Sequence, residues 1–306
     1  MQTPIERIGF IGLGAMGFPM ARRLLQTGKY GLTVLDVDPA RVQPLEADGA
    51  KTADTPRAVA EQSDLVVTML PNSPEVEMVM FGADGVVAGL AEGKIVIDMS
   101  TIDPSVTRTV AEEVAAKSAF MLDAPVGRTS FHAQSGELLI MVGGEADLLA
   151  HCRSVLENFG KDIIHCGAVS SGGTMKLVNN ILTTTIIAAN AEALVLGAKV
   201  GLDTECMLNV LRSTAASNTH LTSTYAAQAL AGNVKPGFAI KLAEKDVGLA
   251  LKMARDNDVP IHLADSTRAL LREAKESGHA DHDYTSLLYL LESKAGVTVR
   301  EEKTEA

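Results

Sequence analysis

Apolar and polar positions fall into two different patterns along the chain. Over the first half, short continuous apolar runs recur: Ile8–Ile11, Leu32–Leu35, Leu65–Leu70, Ile95–Asp98, Phe120–Ala124 and Leu138–Gly143, with Asp162–His165 as a short last run. Runs of this length without polar alternation are what strands buried on both faces of a parallel sheet require. Helical spacing fills the gaps, at Met20, Leu24 and Leu25, at Pro39–Asp48, from about Pro104, and over Glu145–Phe159. From Gly172-Gly173 onward the strand-like runs stop, and 3.6-residue patterning predicts helices over Met175–Lys199, Thr204–Ser213, Ile240–Asn257, Ser266–Ser277 and Tyr284–Ser293. The expectation is therefore α/β: a doubly wound, mostly parallel sheet domain at residues 1–166 and an all-α domain at 167–306. A long interdomain helix from about residue 174 joins them. The charged tail, Arg300–Ala306, is expected to fray.

The first two strands frame the most informative stretch. The run Ile8–Ile11 breaks into Gly12-Leu13-Gly14-Ala15-Met16-Gly17, a helix follows, and the second run stops on Asp36. Strand, glycine turn, helix, strand and acid together form the fingerprint of a dinucleotide-binding Rossmann domain. Glycines let bare backbone approach a pyrophosphate, and the helix behind them offers unpaired N–H groups and a positive dipole end. A carboxylate at Asp36 accepts from both ribose hydroxyls and repels a 2′-phosphate, so NAD is expected over NADP. The nearest cation is Arg41. Ligands of open parallel sheets sit beyond the carboxyl ends of the strands. Met69, Leu70, Pro71, Asn72, Ser100 and Thr101 should therefore line the nicotinamide half, while Ser73 and Asp103 are read as ordinary helix caps.

Composition narrows the class. A chain of 306 residues with 46% apolar and 21% charged residues suits a two-domain globular protein. Its net charge of −11 argues against nucleic acid and means that an anionic substrate must meet a local cation. The polar N-terminus gives no sign of a signal peptide. The apolar stretch Ile181–Val200 contains Asn190, Glu192 and three threonines, which reads as a buried helix and not a membrane span. Three scattered cysteines without a CxxC fit reduced thiols in a cytoplasmic protein.

Hydride transfer to a carbonyl builds negative charge on oxygen and calls for a donor that also gives up a proton. No histidine has the setting for that work, and His279-Ala-Asp-His282-Asp283 reads as a solvated loop, so no metal is expected. Lys176 lies in the first turn of the long helix, four residues before Asn180. The spacing puts ammonium and amide on one face, although a lysine near a helix start is commonly a surface residue.

Four blocks in order carry a resemblance: GLGAMG at Gly12–Gly17, DAPVGRTSFHAQSG at Asp123–Gly136, GGTMKLVNN at Gly172–Asn180 and KDVGLAL at Lys245–Leu251. The chain resembles the β-hydroxyacid dehydrogenase family over nearly its whole length. The resemblance implies an N-terminal Rossmann domain, a helical C-terminal domain and a site between them. It further implies that Lys176 is the acid/base, that Asn180, with Asn179 beside it, orients the substrate, and that Lys245 lies near the cofactor. Family members are commonly dimers or tetramers, so a homo-oligomer is expected.

One block departs from the family wording. Where most members read DAPVSGG, a serine–glycine–glycine trio that holds a carboxylate, this chain has Gly127, Arg128 and Thr129, followed by Ser130. An arginine there supplies a fixed charge and a planar fork of donors for an oxyanion. The VGRTS wording resembles the subgroup acting on 3-sulfolactaldehyde. The expected activity is NADH-dependent reduction of that aldehyde to 2,3-dihydroxypropane-1-sulfonate. The alternatives are a carboxylate semialdehyde or β-hydroxyacid, among them succinic, methylmalonate and tartronate semialdehydes, or an NAD-binding sensor without catalysis.

Overall fold

The computed structural model describes residues 4–299; the tail expectation for Arg300–Ala306 lies outside that range. The chain divides into two compact units, Met1–Leu177 and Val178–Ala306.

The first unit is built on one nine-stranded sheet. Its opening half runs β1 (Arg7–Ile11), α1 (Gly17–Thr27), β2 (Gly31–Leu35), α2 (Pro39–Ala47), β3 (Lys51–Thr52), α3 (Pro56–Gln62), β4 (Leu65–Thr68), α4 (Ser73–Phe81), α5 (Val86–Gly89) and β5 (Ile95–Asp98). After that come α6 (Pro104–Ala116), β6 (Phe120–Asp123), β7 (Val126–Gly127), α7 (Ser130–Ser135), β8 (Leu138–Gly143), α8 (Ala146–Leu156), β9 (Gly160–Gly167) and the start of α9 (Ser171–Lys199). The strand order is β3-β2-β1-β4-β5-β6-β8-β7, with β9 on the other side of β8. β1 to β6 pair in parallel, whereas β8 runs antiparallel to β6 and β7. Strands β4 and β5 are buried at every position, as their unbroken apolar runs require. The two faces of the sheet carry separate cores, one around Phe10, Met20, Leu24 and Phe159, the other around Val66, Met80, Val96 and Val110.

The second unit is helical: the rest of α9, then α10 (Thr204–Ser213), α11 (Tyr225–Ala227), α12 (Ile240–Asp256), α13 (His262–Ala274) and α14 (Leu287–Ala295). Its core gathers Ile187, Leu194, Tyr225, Val247, Leu271 and Leu287. Two boundaries differ from the sequence pattern. α13 begins four residues before Ser266 and closes in a π-turn over Lys275–His279, since Gly278 sits at φ 93° and breaks the register. The helix at Tyr284 opens as a 3₁₀ turn because the Asp283 carboxylate accepts the Thr285 N–H and draws the turn tight.

Among the described residues α9 is long and apolar enough to cross a membrane, with 44% of its most apolar stretch buried within the protein. Its buried side holds Thr184, which donates to the Asn180 carbonyl at 2.6 Å, and Asn190, which donates to Asn218 at 3.1 Å. Polar groups satisfied in this way belong to a core helix, whose poor local propensity at Thr183–Thr185 is overridden by packing.

The turn between β1 and α1 is set by backbone proximity. Gly12 adopts φ 95°, and its N–H donates to the Leu35 carbonyl at 2.9 Å. A Cβ on Gly17 would fall on the Gly12 carbonyl oxygen, and one on Gly12 would meet the Met69 carbonyl oxygen. At Gly14 the nearest atom to such a Cβ is Arg41 Nη1, at 3.8 Å. Gly17→Ala should therefore lower the Tm sharply or yield insoluble protein, while Gly14→Ala should melt within about 2 °C of wild type, since a local change without a clash moves stability by only about 0.5 kcal/mol. Calorimetry of the two variants checks this, and equal losses would mean that the turn is not limited by sterics.

Candidate active site

Register places the site. Leu35, Ile11, Thr68, Asp98 and Asp123 stand opposite one another as Cα partners across β2, β1, β4, β5 and β6. Everything beyond that row lies at the carboxyl edge of the sheet. Gly12, Leu13, Gly14, Ala15, Met16 and Gly17 follow β1; Asp36 follows β2; Met69, Leu70, Pro71 and Asn72 follow β4; Ser100 and Thr101 follow β5.

Asp36 is held rigidly there. Its side chain is 6% exposed, Oδ2 accepts the Leu13 N–H at 2.6 Å, and Oδ1 accepts the Asp38 N–H at 2.8 Å. Each oxygen keeps a second lone pair for a hydroxyl donor. Arg41 Nη1 stands 3.8 Å from Oδ2, and its Nε stands 3.3 Å from Asp38, so the nearby cation is balanced by two carboxylates. On the β4 side, Ser100 Oγ accepts the Leu70 N–H at 2.9 Å, tying the ends of β4 and β5 together. The Oδ1 atom of Asn72 is buried and accepts no hydrogen bond from the described residues. An open cradle at Gly14, two oriented carboxylate oxygens at Asp36 and an amide oxygen without a donor at Asn72 are what a nucleotide with phosphate, ribose and carboxamide groups fits. Asp103 is a cap, its Oδ1 accepting the Ser105 N–H at 2.8 Å, whereas Ser73 is the first residue of α4, after the cap position at Asn72, and its Oγ accepts the Asp103 N–H at 3.1 Å.

The DAPVGRTS segment continues β6 past the edge. Asp123 faces Gly143, whereas Gly127 faces Leu139, so β7 has climbed four residues along β8. At about 3.3 Å per residue that is roughly 13 Å beyond the row. Arg128 follows at φ 74°, a left-handed backbone that glycine takes without cost and arginine does not. Its guanidinium reaches over β8, donating from Nη2 to Asp162 of β9 and from Nη1 to the Glu137 carbonyl. The arginine side chain is 38% exposed and Asp162 49%, so the pair is a weakly held surface contact. Thr129 turns its hydroxyl to His132 Nδ1 at 3.0 Å, and Ser130 opens α7.

Two buried carboxylates that the pattern of the sequence did not single out complete the edge. Asp98, 1% exposed, accepts from Thr68 Oγ1 at 2.8 Å and from the Ser100 N–H at 3.1 Å. Its in-register neighbour Asp123 accepts the N–H groups of Ser170 and Gly173, which lead into α9, at 2.6 and 2.7 Å. Burial pushes the Asp123 carboxyl above its ordinary range, with Asp98 adding to the shift and the two N–H donors opposing it. α9 thus starts at Ser171, four residues before the apolar pattern does, because its first N–H groups find an acceptor on the sheet. Lys176 stands one turn further along. The lone Asp after an apolar run in the second block was the available signal.

The remaining candidates lie in the second unit. Asn180, 3% exposed, donates from Nδ2 to Asp246 Oδ2 at 2.7 Å and accepts from Asn179 Nδ2 at 3.1 Å. Lys245 Nζ lies 2.9 Å from the other Asp246 oxygen. One buried carboxylate therefore fixes the amide and lies within ion-pair distance of the ammonium, and the partners at each end define which way the Asn180 amide is turned. His279 and His282 face each other through Nδ1 at 3.0 Å, and no group of three metal-ligating side chains occurs among the described residues.

Comparisons with known proteins agree with this arrangement. Residues 7–167 match the NAD-binding domain of 6-phosphogluconate dehydrogenase, and residues 170–291 match the NAD-binding domain of NADP-dependent 3-hydroxyisobutyrate dehydrogenase. The chain is 38% identical to the 3-sulfolactaldehyde reductase of Escherichia coli, over 96% of its own length and 98% of the relative's. It is also 38% identical to the 3-hydroxyisobutyrate dehydrogenase of Pseudomonas aeruginosa, over 94% and 99%. The Mycobacterium tuberculosis 3-hydroxyisobutyrate dehydrogenase solved with L-serine superposes with a TM-score of 0.87 at 28% identity, over 94% of this chain and 99% of that one. The likeness thus runs over nearly the whole length of these relatives, through both the sheet unit and the helical one: the chain belongs to the β-hydroxyacid dehydrogenase family and is an NAD-dependent oxidoreductase.

Proposed function

We propose that the protein reduces a short anionic aldehyde, 3-sulfolactaldehyde above others, to the corresponding hydroxy acid. NADH, when bound, supplies the hydride. In this reading Gly12–Gly17 accept the pyrophosphate, Asp36 the adenosine ribose, and Asn72, with Met69–Pro71 and Thr101, the nicotinamide half. Lys176 as ammonium polarises the aldehyde oxygen and donates its proton to it, with Asn180 aligning the same oxygen. Arg128, Thr129 and Ser130 hold the head group, beside Gly127 and Ser100.

The observation that carries the proposal lies within the first unit. The lysine-bearing helix starts at the row that ends β6, and the arginine loop overhangs that same row by four residues. A proton donor and an anion receptor at one end of a nucleotide site suit a small acid aldehyde. Sequence identity does not choose the head group, since a sulfolactaldehyde reductase and a hydroxyisobutyrate dehydrogenase match equally well. The cation at position 128 favours a sulfonate, whose three oxygens use more donors than a carboxylate does. The exposed ion pair with Asp162 is weak enough to exchange for a substrate oxyanion, and the guanidinium holds five N–H donors, more than its two present bonds use. The second reading, a carboxylate semialdehyde, is favoured by the same contact: with Asp162 kept as partner, the head group meets only hydroxyl and backbone donors.

Assembly as a homo-oligomer belongs to the same proposal. Met175, Val178, Leu182 and Leu196 leave an exposed apolar stripe along α9, from 42% to 66% exposed and continued by Val200 just past its end, of the kind that a second copy covers.

Lys176→Ala is expected to lower kcat by about a hundred- to ten-thousandfold, to a slow residual oxidation of NADH, while NADH fluorescence titration still shows binding; a variant keeping most of its kcat removes the lysine from the chemistry. Arg128→Gly, a change its φ of 74° accepts without strain, should raise KM for the sulfonated aldehyde by about ten- to a thousandfold and leave an uncharged aldehyde nearly unaffected. Equal effects on both would make the arginine a loop residue. Leu182→Glu should shift the mass read by light scattering to that of one chain, and an unchanged mass would leave the stripe without that role.

A further inference from the structure

We propose that Asp123 is the positioning residue for Lys176: its buried carboxylate clamps the first turn of α9 to the end of β6 and thereby fixes where the ammonium stands. The inference rests on Lys176 being the proton donor.

A helix entered through Gly172-Gly173 has little reason to begin there. Glycine carries the largest backbone entropy loss on folding, and the first four N–H groups of any helix lack partners. The usual remedy is a side chain at the cap itself. Here the acceptor comes from 47 and 50 residues earlier in the chain, with Oδ1 on the Ser170 N–H at 2.6 Å and Oδ2 on the Gly173 N–H at 2.7 Å. Two short bonds to one planar carboxylate set the rotation of the first turn as well as its height, because each oxygen holds a different residue.

The surroundings are shaped to this contact. A Cβ on Gly172 would lie 2.8 Å from the Asp123 carbonyl oxygen and 2.9 Å from Oδ2, and one on Gly143 would land on Oδ1. Glycine at both places lets backbone close around the carboxylate. Ser170 is held at φ 75°, a left-handed conformation that a serine adopts only when its surroundings impose it. Asp123 itself is 2% exposed and stands in register beside Asp98, so both of its oxygens are turned to the start of α9 and not to solvent. Its two oxygens hold two residues at the start of the helix at once, and Lys176 sits three residues after Gly173, inside the segment so fixed. Displacing a reacting group by about 1 Å costs about a hundredfold in rate.

The test compares Asp123→Asn, Lys176→Ala and the double variant, each as full-length protein, with NADH and an anionic aldehyde. Asparagine keeps the volume but presents an NH₂ to one of the two N–H groups. Asp123→Asn is expected to lower kcat by about ten- to a hundredfold, with KM and the NADH Kd within about threefold of wild type. In the Lys176→Ala background the same change should alter the residual slow oxidation of NADH by less than about twofold, since there is no ammonium left to misplace. Asp123→Ser, which retains one hydroxyl acceptor, should fall between wild type and asparagine, and it serves in place of asparagine if that protein is insoluble. Full activity in Asp123→Asn beside a slow Lys176→Ala overturns the positioning role and leaves the lysine in place. A loss that persists undiminished in the double variant, or one matched by weaker NADH binding, makes Asp123 a fold residue only. Retained turnover in Lys176→Ala removes the premise itself.

Discussion

Every strand of a parallel sheet that stops at a ligand site leaves polar backbone with no neighbour, and in this protein side-chain oxygens close those gaps one by one. Asp36 takes the N–H of Leu13, Ser100 that of Leu70, Asp98 that of Ser100, and Asp123 those of Ser170 and Gly173. Three of the four are carboxylates at or beside the ends of adjacent or nearly adjacent strands. Water cannot do this work where Asp98, Ser100 and Asp123 sit, all at 3% exposure or less. The edge is therefore prearranged before any ligand arrives, which is the condition for orienting reactants without reorganisation at the moment of reaction.

Much of this was legible in the sequence, and for identifiable reasons. The apolar runs of β1, β2, β4 and β5 are continuous because both faces of those strands are covered. Gly12 and Gly17 are required by steric proximity, which leaves glycine as the only letter that can stand there. Asp36 was readable because its chemistry is local to a short strand–helix–strand unit. Contacts made over long separations were not readable. The early start of α9 depends on Asp123, and the buried amide of Asn180 depends on Asp246, 66 residues away. The two-residue strands β3 and β7 carry too few positions to show any period. The resemblance to the family supplied Lys176, which spacing alone would have left among ordinary surface lysines.

Arg128 shows how a substitution is absorbed at two levels. Where relatives are expected to carry glycine, the backbone still takes the left-handed turn that glycine would choose, and the side chain leans on Asp162 and the Glu137 carbonyl. Lys161 in turn reaches Glu137 at 2.7 Å, so the overhanging loop ends in a small alternation of charges in place of a bare hairpin. Each member is exposed and individually weak. Together they give the loop a defined resting shape at a low energy per contact.

The two residues of β7 pair with β8 alone, while the Val126 side chain joins the core that also holds Phe10 of β1 and Leu122 of β6. A change of wording after Val126 thus breaks no backbone pair among β1, β2, β4, β5 and β6. A short overhang held by one neighbouring strand can be rewritten residue by residue while the parallel strands keep their register.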